Sequence, residues 1–418
     1  MHGNRGFIIA ILSLAAAAWF AASPAEAQVF RRDPSVEPEN LDIDGRSYKP
    51  YGQARIWLFR FHPFASLGAT YDDNVFLAPT YQRKDDFVFD TVAGLRTDWR
   101  LGRHETLLGY QAKYRAFLNH PGQSLLEHRL NLLSQWNFNH WMFLDVGAEG
   151  SHRKDPLPAE VDLITDRDVC DAFVRAGVFK ESLGAELEYK LNWTDFVEPN
   201  FRALDHTEQY LTLSGYYLLR EDSQLAQKVY AFLEVSAGAF RFPERHFSDS
   251  NFASAVVGAK GMLFDRFGFI LKFGVSGLDP RGNGSTGDRE SFRGPTYEAT
   301  VMYNPSEAQQ ISLSSYRRIQ YATDSNFRIF DRLEASYGHV FFDKLYGKAN
   351  AFLDHADPSD SRNLNRMGCG LSAEYFFQGW LAASLGWEYS QRTARRIAGT
   401  PSADYRDHRI FLTLTAFF

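Results

Sequence analysis

The sequence predicts an all-β fold, a transmembrane antiparallel up-and-down β-barrel of about eighteen strands, with sixteen as the alternative count. Three observations predict it. The last stretch, Asp404 to Phe418, places apolar side chains at alternate positions and ends on an aromatic residue. Segments with the same period of two recur about every twenty residues, with no competing helical periodicity. The connections between them alternate short and long down the whole chain, as in barrels with tight turns at one rim and long loops at the other.

Residues 1–27 read as a secretory signal peptide, with Arg5 as the positive region, Phe7 to Ala22 as the apolar run and Ala25-Glu26-Ala27 as the cleavage site. A membrane-anchoring helix needs about 20 apolar residues; this run has 16 and ends in Ser23-Pro24. Cleavage near Ala27 is therefore expected, followed by residence in the outer membrane. The net charge of -6 is unchanged by losing Arg5 and Glu26. Residues 28–61 are polar and without clear period, and read as a periplasmic N-terminal segment ahead of a barrel over 62–418. The mean hydropathy of -0.34 looks soluble, but barrel strands average lipid-facing and lumen-facing side chains to neutrality. The aromatic share of 15%, with 36 Phe and 20 Tyr, suits the girdles that barrels carry at both membrane interfaces.

In chain order, strands are expected near 64–71, 86–99, 103–118, 125–138, 141–153, 168–180, 182–195, 206–220, 224–241, 250–263, 266–278, 292–304, 307–321, 326–341, 344–356, 363–376, 379–392 and 405–418. Tight turns fall near 101–103, 137–140, 181–182, 220–223, 265–266, 304–307, 343–344 and 378–379. Long loops fall near 72–85, 119–124, 154–167, 196–205, 242–249, 279–291, 322–325, 357–362 and 393–404. An even strand number puts both ends of the barrel on the tight-turn side, the periplasmic one.

Alternation assigns the two faces. Val229, Ala231, Leu233, Val235 and Ala237 point to lipid, and Tyr230, Phe232, Glu234 and Ser236 to the lumen. Leu345, Gly347, Ala349, Ala351 and Leu353 likewise alternate with Tyr346, Lys348, Asn350, Phe352 and Asp354, and Leu183 to Trp193 with Glu186, Glu188, Lys190 and Asn192. A charge on the lipid face at mid-bilayer costs about 2–4 kcal/mol, so the sorting is enforced. In the last strand Ile410, Leu412, Leu414 and Phe418 form an outward row resembling the C-terminal signal that barrel-assembly machinery reads.

The lumen carries the candidate functional residues. Arg318, Arg328, Arg332, Lys348 and Arg366 make a basic arc over four neighbouring strands; Glu186, Glu188 and Glu234 make an acidic patch elsewhere. Such charges either concentrate anionic solutes or brace the wall across the lumen. Tyr210, Tyr216, Tyr230, Phe232, Tyr316, Phe330, Tyr346 and Phe352 point inward, as a stacking track for a saccharide or as space fillers.

Ser66-Leu-Gly-Ala-Thr-Tyr-Asp-Asp-Asn-Val-Phe-Leu-Ala-Pro79 resembles the β-barrel porin type-2 family, whose Gly-containing first strand runs into Tyr-Asp-Asp-Asn, here Tyr71, Asp72, Asp73 and Asn74. By length and strand rhythm the resemblance covers roughly 50–418. It implies an outer-membrane barrel, often associated with exopolysaccharide production, and hence an export channel working with periplasmic or inner-membrane export proteins. It brings no catalytic set. Asp72, Asp73 and Asn74 either cap the loop backbone or hold a divalent ion with lipopolysaccharide phosphates.

The remaining motifs carry little. Gly282-Asn-Gly-Ser-Thr-Gly287 matches a dinucleotide fingerprint in letters but lies in a long loop, without the strand and helix that the motif needs. Cys170 and Cys369 are expected as unpaired thiols, although an exported chain permits a disulfide. No metal, cofactor or nucleic-acid pattern is present. An outer-membrane lipid-modifying enzyme would need a Ser/His pair, and His128, His206, His246, His355 and His408 have no partner in sequence. The expected activity is passage of saccharides or export of an exopolysaccharide, with a general diffusion porin as the alternative.

Overall fold

The computed structural model describes residues 54–56, 59–79, 82–156, 164–222, 227–244, 246–264, 266–282, 284–285, 291–320, 327–342, 344–358, 364–394 and 404–418. The expected signal peptide and most of the expected N-terminal segment lie outside the described residues, as do Asn283, Thr286 and Gly287 of the fingerprint-like loop.

Period-two sequence becomes strand throughout. The strands are β1 (Ala54–Ile56), β2 (Phe59–Asp72), β3 (Asp86–Leu101), β4 (His104–Phe117), β5 (Leu125–Asn137), β6 (Met142–Pro156), β7 (Ile164–Lys180), β8 (Leu183–Phe196), β9 (His206–Asp222) and β10 (Gln227–Arg241). They continue with β11 (Ser250–Phe264), β12 (Phe267–Pro280), β13 (Phe292–Tyr303), β14 (Gln309–Gln320), β15 (Arg328–Phe341), β16 (Leu345–Pro358), β17 (Leu364–Gln378), β18 (Leu381–Ala394) and β19 (Tyr405–Phe417). From β2 onward each strand pairs antiparallel with the next, and β19 pairs back onto β2, closing a barrel of eighteen strands. Closure leaves the barrel without an exposed edge, which a wall in lipid requires. β1 adds a short hairpin, with Ala54 opposite Phe61.

β2 starts at Phe59, before the expected Phe64, because Pro63 does not break it. The Pro63 carbonyl accepts from the Phe418 amide at the very end of β19. The proline nitrogen faces the same way, so only the reciprocal bond to the last residue, Phe418, is missing and the ladder with β3 is untouched. The tight turns use left-handed backbone at Gly102 (φ 60°), Glu181 (φ 52°) and Phe342 (φ 53°). Gly102 adopts it freely, whereas Glu181 and Phe342 each spend about 1 kcal/mol on it.

One face of each strand forms an exposed apolar row around the wall, as at Leu67, Leu108, Leu130, Leu213, Leu271 and Leu385. Val229 departs from the expected outward row: it is buried, beside the register irregularity between Val229 and Tyr230 where β10 meets β9. The opposite face carries the lumen charges, and aromatic side chains occur on both faces, with Tyr189, Tyr217 and Phe273 among the outward ones. Buried apolar clusters gather at the long-loop rim, the largest being Phe240, Phe242, Phe247, Leu278 and Phe327. Phe242 and Phe247 belong to the loop between β10 and β11, so that loop is tucked onto the lumen side. Cys170 and Cys369 are both free thiols.

Candidate functional site: the charged lumen

Strand register decides which lumen residues meet. Tyr316 on β14 stands opposite Arg332 on β15, Arg332 opposite Asp354 on β16, Asp354 opposite Arg366 on β17, and Arg366 opposite Arg392 on β18. One level towards the loops Arg318 faces Phe330, and one level further Gln320 faces Arg328. These side chains surround a cavity of about 190 Å³ lined by Arg318, Arg328, Arg332, Arg366, Arg392 and Asp354, among others. Asp354 is the shared counter-charge: its Oδ2 accepts from Arg366 Nε at 3.0 Å. Its Oδ1 lies 3.2 Å from Arg332 Nε, in charge contact without hydrogen-bond alignment.

Aromatic rings hold the guanidinium groups in place. Arg332 and Arg366 both lie 4.8 Å from the centre of the Phe352 ring. Arg318 lies 4.5 Å over Tyr316, Arg328 5.4 Å over Phe330 and Arg392 4.7 Å over Tyr405. Phe352 can lie flat because Gly368 stands directly across from it; a Cβ there would meet the ring at 2.6 Å. Cation–π contact is worth about 0.5–2 kcal/mol per pair and orients the planar donors.

Of the basic arc, Lys348 does not join this group. It faces Gly338 and Ser372, six residues along β16 from Asp354, about 20 Å at the rise of a strand. Arg392 and Asp354 are the members that the list of sequence candidates lacks. Arg392 is the last residue of the expected strand 379–392, and β18, which runs on to Ala394, sets it opposite Arg366.

The acidic side is braced locally. Glu186 accepts from the Tyr216 hydroxyl at 3.1 Å, and Glu188 lies 3.0 Å from Lys190. Lys272 lies 3.2 Å from Glu298 and 3.9 Å from Glu234. The two halves of the wall therefore differ. β8 to β13 hold acids with lysines among them, and β14 to β18 hold arginines around buried Asp354, with the more exposed Glu334 also 3.2 Å from Arg332.

The inward aromatic residues do not line up as one track. Tyr216, Tyr230 and Phe232 cluster with Phe179, ring centres 5.4–6.5 Å apart. Tyr210 packs edge-on against Phe240 and Phe252 in the apolar rim cluster. Tyr316, Phe330 and Phe352 lie under arginines, and Tyr346 faces Val340 and Glu374 nearer the tight-turn rim. Tyr216, Phe232 and Phe330 are buried, so they offer no open ring face.

The Tyr71-Asp72-Asp73-Asn74 motif sits where the barrel closes. The Asn74 amide donates to Asp72 Oδ1 at 2.8 Å, and the His408 amide on β19 donates to Asp73 Oδ1 at 2.8 Å. Asn74 Nδ2 donates to the carbonyls of Ala78 and Arg406, at 2.8 and 2.9 Å. Tyr71 packs on Phe87. Asp407 brings a third carboxylate beside Asp72 and Asp73, and Arg409 lies 2.9 Å from both Asp72 and Asp407. The carboxylates are thus engaged in capping and in pairs with Arg409 and Arg83. On the outside of β19, Ile410, Leu412 and Leu414 are exposed, as is Phe418 just beyond it. Three of the histidines are occupied: His128 with the Tyr110 hydroxyl, His206 with the Leu204 carbonyl and His355 with Asn365.

In the loop between β8 and β9, burial pushes the Asp205 carboxyl up to about 6, helped by the neighbouring Asp195 carboxyl. A raised carboxyl binds its proton more tightly in the folded loop, so its contribution is full below the ordinary 3.8 and is lost as pH rises through about 6. The protection of the Phe196 amide, which donates to Asp205 Oδ1 at 2.8 Å, measured as its exchange rate relative to an unstructured peptide at the same pH, is expected to fall between pH 5 and 7 (roughly the span of that titration). Asp205→Asn, which keeps the acceptor, should remove that pH dependence.

No protein-family model and no curated protein matches the chain. Among solved structures it is similar to the outer membrane protein OpdK of Pseudomonas aeruginosa, at 9% identity and TM-score 0.45, covering 86% of this chain and 99% of that one. It is also similar to Pseudomonas aeruginosa OccK2 (OpdF), at 8% identity and TM-score 0.47 over 88% and 100% of the two chains. Acinetobacter baumannii OccAB3 is similar at 11% identity and TM-score 0.44, over 86% and 99%. These are likenesses of barrel shape.

Proposed function

We propose that the protein is an outer-membrane channel for diffusion of small hydrophilic solutes, with a preference for anions. The observation that carries this is the segregation of the closed wall, apolar side chains outward on every side and an arginine-rich arc inward. In the same proposal the chain matures by cleavage near Ala27, residues 62–418 form the barrel, and the long loops face outward. The row Ile410, Leu412, Leu414 and Phe418 is then available to assembly machinery. Export of an exopolysaccharide is the second reading, and the scattered, covered aromatic rings favour it less.

The test is single-channel recording of the mature chain in planar bilayers under a salt gradient. A steady conductance with a reversal potential favouring anions is expected, and Arg328→Ala with Arg332→Ala should at least halve the anion-to-cation permeability ratio (charge lining a narrow lumen sets the local ion concentration). A cation-selective or silent barrel would refute the reading. Block by acidic polysaccharide fragments, lost in the double variant, would favour export.

A further inference from the structure

Resting on the reading that the long loops face outward, we propose that the outside of β13–β18, near the long-loop rim, binds the sugar headgroup of an outer-leaflet glycolipid of the lipopolysaccharide type. Register sets Tyr297, Arg317, Asp331, His355, Asn365 and Thr393 directly opposite one another across these six strands. They share the face of Leu333, Leu353 and Met367, which are exposed two residues further down their strands. The row therefore points away from the arginine arc and towards lipid. A charge on that face is costly at mid-bilayer and nearly free of cost at the interface. Tyr297, opposite exposed Phe273 on β12, marks the level where aromatic rings collect at that interface. The polar row thus lies among lipid headgroups.

The row is not a smooth belt. Asp331, His355, Asn365 and Thr393, with Gln391 beside them, line a cavity of about 400 Å³ that Leu333, Leu353 and Met367 also border. Arg332, Asp354 and Arg366 reach it from between the outward positions on the same strands. Small-ligand sites span about 300–1,000 Å³. The lining offers both donors and acceptors. Asp331 accepts, held 3.4 Å from Arg317. His355 Nδ1 donates to Asn365 Oδ1 at 2.8 Å, so its Nε2 is an acceptor and Asn365 Nδ2 a donor. Gln391 Oε1 accepts from the Tyr389 hydroxyl at 2.7 Å, which leaves its Nδ-type amide N–H groups as donors, and Thr393 adds a hydroxyl. Such a mixture matches the hydroxyl and amide groups of a sugar ring, whereas the phosphodiester of a phospholipid brings acceptors alone. Arg406, exposed and opposite Gln391 on β19, adds a guanidinium suited to a phosphate on that sugar. Below the cavity the outward positions Ala335, Ala351 and Cys369 are small and directly opposite one another, a shallow track for an acyl chain.

Native mass spectrometry of the detergent-folded full barrel, titrated with rough lipopolysaccharide, phosphatidylglycerol and glucosamine 1-phosphate, tests this without needing conductance. Saturable binding of one lipopolysaccharide is expected, with phosphatidylglycerol and the free sugar phosphate each at least tenfold weaker. Asn365→Leu with Thr393→Leu, which makes one end of the row apolar, should lose tenfold or more. Gln209→Leu, which alters an exposed outward amide on β9 between Leu191 and Ala239, should bind as the parent does, and heat-modifiable gel migration confirms that each variant is folded. Absence of saturable lipopolysaccharide binding in a folded barrel, equal affinity for phosphatidylglycerol or for the free sugar phosphate, or no loss in the double variant would overturn the site. A barrel that conducts anions but does not select lipopolysaccharide keeps the channel reading and loses this one; a barrel that selects it but never conducts does the reverse.

Discussion

Asp354→Asn is expected to lower the unfolding free energy of the barrel by about 3 kcal/mol while making the lumen more anion-selective. Its carboxylate is 4% exposed and sits between Arg332 and Arg366. Both guanidinium groups share the Phe352 ring, with Arg392 one strand further on. Removing the charge takes away the buried carboxylate that Arg332 and Arg366 share, leaving Arg332 its more exposed partner Glu334 at 3.2 Å, and breaking a buried ion pair from one side is costly. The exposed pair Arg129–Glu149 gives the scale: at 53% and 36% exposure, Glu149→Gln should cost at most about 1 kcal/mol. Urea unfolding followed by gel mobility measures the first effect, and reversal potential the second. If the two substitutions cost the same, the arginine arc is hydrated and Asp354 is not its counter-charge.

Asn74→Ala should cost a similar amount, about 3 kcal/mol, through the seam that closes the barrel. Asn74 is fully buried, and its side chain makes three hydrogen bonds to the backbone, one of them across to Arg406. Truncation strands those groups, at about 1–3 kcal/mol for each that finds no water. The seam is sensitive because it is short. β19 and β2 share nine register pairs, against fourteen between β15 and β16, although β13 and β14 share only seven. The turn residues extend it, since Asp73 and His408 exchange backbone and side-chain bonds. Faster unfolding of Asn74→Ala should be rescued by a disulfide between Ala65→Cys and Ala416→Cys, which are direct partners across the seam. Failure of that rescue would place the damage in the loop rather than in closure.

Much of the architecture was legible before any coordinates because barrel strands are a local code. Period two is written residue by residue, and the side on which Arg318, Glu234 or Leu412 lies follows from its own neighbours. Pro63 and the Val229 irregularity show the limit. Whether a proline breaks a strand depends on whether a neighbour reaches its nitrogen, and a register slip depends on two strands at once.

Closure, sidedness and strand rhythm were thus determined by the sequence itself, since each follows from short-range alternation and from the cost of unpaired backbone or charge in lipid. The tertiary structure alone decided the constellations. Arg366 and Arg392 are 26 positions apart and Asp72 and Arg409 are 337 apart, yet register makes each pair direct neighbours. Lys348, grouped with the arginines by charge and strand, was parted from them by its height along the wall. Alternation encodes the face a residue occupies; the stagger of strands, summed around the closed ring, sets its level and therefore its company.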